Sequence, residues 1–143
     1  MSFNTLAIIP LLPLVAAAIT SGIQCGRRAA ALAIAAMVVS CGVSLKAFSH
    51  SWDMVPGSVD TFNVPWLTLG ATQLDWSFVL DPLTGCMLAM VTFVGLLIFI
   101  YSAGYMKNDE RMARFFCYLS LFTAGMLGLV LSNSLLLLFM CWE

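Results

Sequence analysis

The stretch DPLTGCMLAMVTFVGLLIFIYSAGYM, Asp81–Met106, decides how the rest of the chain is read. It opens with an acid and a proline and then carries no charge to its end. A bilayer core takes about 20 apolar residues per helical span, so this run is long enough to cross one. Asp81 followed by Pro82 reads as an N-cap and a proline at the first helical position, where the missing N–H costs nothing, so a span is predicted over 82–105. Three more charge-free runs lie outside it: Met1–Gly26, Ala29–Leu45 and Phe115–Trp142.

Composition agrees with lipid as the solvent. Of 143 residues 62% are hydrophobic and 9% charged, against about 25% charged in an ordinary soluble domain. A soluble enzyme is excluded on that ground, and disorder is excluded by the mean hydropathy of +1.00. Six Lys and Arg against seven Asp and Glu leave no basic surface for nucleic acid. Cys25, Cys41, Cys86, Cys117 and Cys141 are scattered through the apolar runs without a Cys-x-x-Cys pair, so they read as small hydrophobes and not as a metal or redox site.

The predicted architecture is an all-α integral membrane protein in one membrane domain, residues 1–143. It has four complete spans, about 6–23, 29–48, 82–105 and 115–131, and the start of a fifth at 135–143. The first span lacks the basic start and cleavage pattern of a signal peptide, with Pro10 and Pro13 interrupting its apolar run, and is expected to be retained. The second is rich in Ala and Ser, which favours packing against other helices. Between spans two and three, residues 49–80 form a long loop holding Asp53, Asp60 and Asp75 with Pro56, Gly57, Pro65 and Gly70 as breakers. Leu74, Trp76, Phe78 and Leu80 alternate with Gln73, Asp75, Ser77 and Val79, and Leu67 and Leu69 stand across Gly70, which predicts a β-hairpin. Trp52, Trp66 and Trp76 suit the headgroup level, so the loop is expected to lie on the membrane.

Phe115–Trp142 is too long for one straight span, since 28 residues of helix measure about 42 Å against a hydrocarbon core of about 30 Å. The polar trio Ser132, Asn133 and Ser134 is the natural break, with Asn133 and Ser134 capping a fifth helix. Arg27, Arg28, Lys107, Arg111 and Arg114 fall in two short loops, which places these on the cytoplasmic side and the N-terminus and long loop outside.

Glu143 then sits nine residues into the fifth helix, at a depth of about 13 Å. A carboxylate there should hold its proton or pair with a cation, and either state suits a proton relay. No Lys or Arg of this chain is expected within reach, so the partner has to come from elsewhere. A helix ending in lipid would also leave its last carbonyls unpartnered, and a second polypeptide is expected to continue it. The competing reading is one tilted helix from Phe115 onward, with Glu143 as an ordinary solvated residue at the opposite surface. His50, alone beside Ser49 and Ser51, is assigned no role.

The segments Phe78–Thr84, Tyr105–Lys107, Arg114–Tyr118, Ser132–Leu138 and Cys141–Glu143 resemble the N-terminal part of the large antiporter-like membrane subunit of proton-pumping NADH:quinone oxidoreductase, subunit L in bacteria and subunit 5 in mitochondria. Similar segments occur in Mrp-type cation/proton antiporters. The resemblance implies that Trp142 and Glu143 match the Trp-Glu whose carboxylate works with a lysine in proton translocation. Cys141 stands where that family usually has Gly. It further implies a translocase subunit with no cofactor or metal on this chain, NADH, FMN, iron–sulfur clusters and quinone belonging to other subunits. Partners would be other membrane subunits, including one that continues the fifth span, and membrane lipid. The location would be the bacterial inner membrane, or alternatively the mitochondrial inner membrane. A fragment of a Mrp-type antiporter and a purely structural membrane fragment are the alternatives.

Overall fold

A computed structural model describes residues 3–23, 25–52, 59–69 and 72–143. Five helices and one hairpin follow in the order α1 (Phe3–Ser21), α2 (Gly26–Trp52), β1 (Asp60–Leu69), β2 (Thr72–Leu80), α3 (Pro82–Tyr105), α4 (Met112–Leu131) and α5 (Leu135–Trp142). The first four helices are long and apolar enough to cross a membrane, and α5 has eight residues. The expected Gly70 turn, and the breakers at 56 and 57, lie outside the described residues.

The two prolines do not interrupt α1. Proline at 13 removes the N–H that would have bonded the carbonyl of Ile9, and Ser40 of α2 supplies the replacement, its Oγ donating to Ile9 O at 3.1 Å. A neighbouring helix thus completes the backbone pairing that apolar surroundings demand.

The second helix runs to Trp52, not to 48 as the sequence implied. Ser49 and Ser51 read as loop formers, but each turns its hydroxyl back onto the helix, to Lys46 O at 3.0 Å and Phe48 O at 2.8 Å. Ser51 is buried against α3 where Gly85 leaves room: a Cβ on Gly85 would overlap Ser51 Oγ. Burial of Ser51, together with the two back-bonds, holds α2 helical beyond its apolar run. At 27 residues it is about 40 Å long and exceeds a hydrocarbon core. The fourth helix likewise begins earlier than expected, at Met112, because Met112, Ala113 and Phe116 are buried and draw Arg114 into the first turn.

The core divides by end. Leu6 and Ile9 of α1, Ala47 of α2, Leu88 of α3, Leu127 and Leu131 of α4 and Leu137 of α5 pack around Phe78 and Leu80 of β2. Ala30, Ala33, Met37, Phe99, Met112 and Phe116 form the second cluster, beside Arg27 and Arg28, which lie in the first turn of α2 and not before it as expected, and beside Lys107 in the α3–α4 turn. The antiparallel order of α1–α4 therefore puts both basic turns at one end. The hairpin, the start of α1 and residues 132–134 lie at the other.

The hairpin does more than rest on a surface. β1 and β2 pair antiparallel from Asp60↔Leu80 to Leu69↔Thr72, with an irregularity between Pro65 and Leu67, where proline cannot donate to the ladder. Its far part shows Trp66 and Trp76 to the outside, rings edge to face at 5.7 Å. Its near part is different: Ser77, Phe78 and Leu80 are buried in the helical bundle.

Candidate functional site

Three consecutive residues make the α4–α5 break, and each satisfies a different set of backbone groups. Ser132 closes α4, its N–H and its Oγ both donating to Leu129 O, at 3.2 and 2.8 Å. Ser134 opens α5 as its N-cap, its Oγ accepting from Leu137 N at 3.2 Å. The same device starts α3, where Asp81 accepts from Thr84 N at 2.6 Å and Pro82 follows. Because the break is real, the reading of Phe115 onward as one tilted helix does not hold.

Asn133 does not cap α5 as the sequence implied. Its backbone N–H donates to Ser77 O at 2.9 Å, and its Nδ2 donates to Ser77 Oγ at 3.0 Å. Ser77 Oγ in turn donates to Asn63 Oδ1 at 2.5 Å. A single bridge between Phe78 and Ser132 continues the contact. The break is thus joined to β2, and through Ser77 to β1. Cap geometry at 134 already satisfies the first turn of α5, which releases Asn133 for this tie. No local pattern announces it, since its partner lies 56 residues away.

The other end of α5 is seated on α4. A Cβ on Gly128 would come within 2.8 Å of Cys141 Sγ, and one on Gly125 within 3.1 Å of the Cys141 carbonyl. The two glycines, one helical turn apart, make the hollow that admits Cys141. Glu143 follows at the C-terminal end of α5, exposed, with its N–H donating to Phe139 O at 3.1 Å. Among the described residues it makes no ion pair. Trp142 beside it is exposed as well.

His50 had no assigned role. Its Nε2 stands 3.7 Å from Asp60 Oδ2, so a protonated imidazole would join the end of α2 to the start of β1. The five cysteines are free thiols. Among the described residues no three of His, Cys, Asp and Glu gather closely enough to hold a metal ion.

Four apolar helices of spanning length, tied at one end by a hairpin and followed by a short fifth helix that restarts after a polar break, define a polytopic α-helical membrane protein. Residues 66–116 match the family model described as "NADH-Ubiquinone oxidoreductase (complex I), chain 5 N-terminus". Three relatives are each described as chloroplastic NAD(P)H-quinone oxidoreductase subunit 5. That of Nephroselmis olivacea is 41% identical over 95% of this chain. That of Anthoceros angustus is 41% identical over 73%, and that of Chaetosphaeridium globosum 49% identical over 57%. The chain belongs to this subunit 5 family and corresponds to its N-terminal part. It spans 22%, 15% and 12% of those relatives' own lengths.

Proposed function

We propose that this chain is the N-terminal piece of a proton-translocating membrane subunit of an NAD(P)H:quinone oxidoreductase, and that Glu143 is a mid-membrane carboxylate on its proton path. The observation that carries the reading is the restart of α5 at Leu135 after the break. Glu143 lies nine residues beyond the N-cap Ser134, a rise of about 13 Å, near half the thickness of a hydrocarbon core. A continuous helix would have carried it much farther.

At that depth an isolated carboxylate is stable only when protonated or paired, and it changes state when a proton or a cation reaches it. Glu143 would accept a proton, hold it while α5 keeps the group in place, and release it to a lysine on another segment. Nicotinamide oxidation, flavin and iron–sulfur electron transfer, and quinone reduction would belong to other subunits. The membrane is proposed to be an energy-transducing one, with the hairpin and the N-terminus on the side opposite the cytoplasm or its equivalent, as the five cations of the two basic turns imply.

Substitution Glu143→Gln keeps size and hydrogen-bonding capacity but removes the proton. In the assembled complex, coupled proton translocation should fall at least about ten-fold while assembly and subunit content are kept. Glu143→Asp should be milder, because the acid remains and only its reach shortens. Translocation at the parent rate in the Gln variant would show that Glu143 carries no proton and that the chain acts as packing only.

A further inference from the structure

We infer that Asn133 and Ser77 are positioning residues for Glu143, acting through the start of α5, and that the hairpin's role is to supply this anchor. The inference rests on the reading of Glu143 as a proton carrier and extends it to two residues that touch neither the carboxylate nor its path.

A helix that restarts after a break owes its placement to what holds its first turns. The N-cap at Ser134 satisfies the first turn of α5 from within its own chain segment and ties that turn to no neighbouring element. Its height and rotation therefore come from outside contacts. Two are available. Cys141 in the hollow of Gly125 and Gly128 holds the last turn against α4. Such packing fixes the distance between the helices and resists sliding by shape alone, with no directional bond to set the height.

Asn133 adds the directional bonds that the glycine seat lacks. Two hydrogen bonds from one residue to one partner, from its backbone N–H at 2.9 Å and its Nδ2 at 3.0 Å to Ser77, define both height and rotation at the start of α5. Ser77 is a firm partner because it is buried, flanked in β2 by the buried Phe78, and held from its other side by Asn63 of β1. Phe78 and Leu80 are set among Leu127, Leu131 and Leu137, so the strand bearing Ser77 is anchored in the same cluster as the helix it positions. A strand and a helix start fixed to each other in this way move as one body. The carboxylate nine residues along then keeps a constant height.

The test uses the complete subunit in its assembled complex. Asn133→Leu removes the side-chain bond at similar volume. Ser77→Ala removes only the central hydroxyl and leaves the backbone contact. Each should lower the protons moved per electron pair by about two- to five-fold, with electron transfer and assembly kept. The double variant should fall no further than the more affected single, because both cut one chain of contacts. Ser77→Thr, which keeps the hydroxyl, should restore the ratio toward the parent value. If the variants change only the amount of assembled complex and leave the ratio untouched, the tie is merely structural and the inference falls. Should Asn133→Leu fail to assemble, Ser77→Ala and its Thr counterpart decide. If Glu143→Gln lowers translocation but the tie variants do not, the inference fails while the reading of Glu143 stands. If Glu143→Gln has no effect, that reading fails itself.

Discussion

Helix α3 and the α4–α5 pair are made of nearly the same material, an apolar run with a few glycines and hydroxyls, yet one is a single rod of 24 residues and the other is cut into 20 and eight. Hydroxyls do not explain the difference. Thr92 and Ser102 lie inside α3, and Thr92 Oγ1 simply bonds back to Leu88 O at 2.7 Å. Nor does glycine, since Gly85, Gly95 and Gly104 leave α3 unbroken. The distinction is that Ser132, Asn133 and Ser134 occur in succession and find three different partners: the end of α4, the hairpin and the start of α5. A helix in an apolar medium breaks only where the freed backbone groups are satisfied elsewhere. The hairpin provides that elsewhere for one of them.

The comparison breaks most drastically if the second run is made to resemble the first. Replacing Ser132, Asn133 and Ser134 together by Ala removes both caps and the tie to Ser77, and a continuous helix from α4 should result. Glu143 would be carried out of its depth, and proton translocation by the assembled complex should fall at least about ten-fold. Ala replacement of Tyr101 and Ser102 in α3, which makes 101–103 a run of three Ala, should be tolerated. Equal effects at the two places would show that the break has no special position in the mechanism.

A subtler contrast lies in the glycines. At Gly128 an added Cβ would meet Cys141 Sγ at 2.8 Å, whereas at Gly104 nothing lies within 4 Å. Gly128→Ala should cost about 1–3 kcal/mol through overpacking. Gly104→Ala should be neutral or stabilising by up to about 1 kcal/mol, as expected of a freely exposed helical position. Combining Gly128→Ala with Cys141→Ala removes the obstructing sulfur, leaves a Cβ at 3.8 Å, and should recover most of the loss. Thermal unfolding of the detergent-solubilised protein reads all three. A Gly128→Ala cost that Cys141→Ala leaves unchanged would mean that the two residues do not share the hollow.

Much of this arrangement is legible in the sequence, where the signal is local. Asp81-Pro82 states its cap within two residues, charge-free runs state their spans, and an apolar run of excess length containing a polar trio states a break. The alternation around Trp76 and Phe78 states a strand. What stays hidden depends on partners distant in the chain. Ser49 and Ser51 look like loop residues until α3 brings Gly85 against Ser51 and keeps the last turn of α2 helical. Pro13 looks like an interruption until Ser40, on another helix, takes up the carbonyl it strands. Asn133 looks like a cap because its spacing allows one, and only the fold brings Ser77 within reach of it. Glu143 itself is visible as the one acid in a long apolar run, but its height depends on where the helix before it stops.

That height is the quantity on which the account turns. A spin label at position 143 of the full-length subunit, on a background with the native cysteines replaced, reports depth through the ratio of its collisions with oxygen and with a water-soluble nickel complex. Reference labels at 97, within α3, and at 108, in the basic turn, calibrate the scale. The label at 143 should match 97, deep in the hydrocarbon, and Asn133→Leu should shift it. A label at 143 as accessible to the aqueous reagent as the one at 108 would place Glu143 at a membrane surface and contradict the account at its centre.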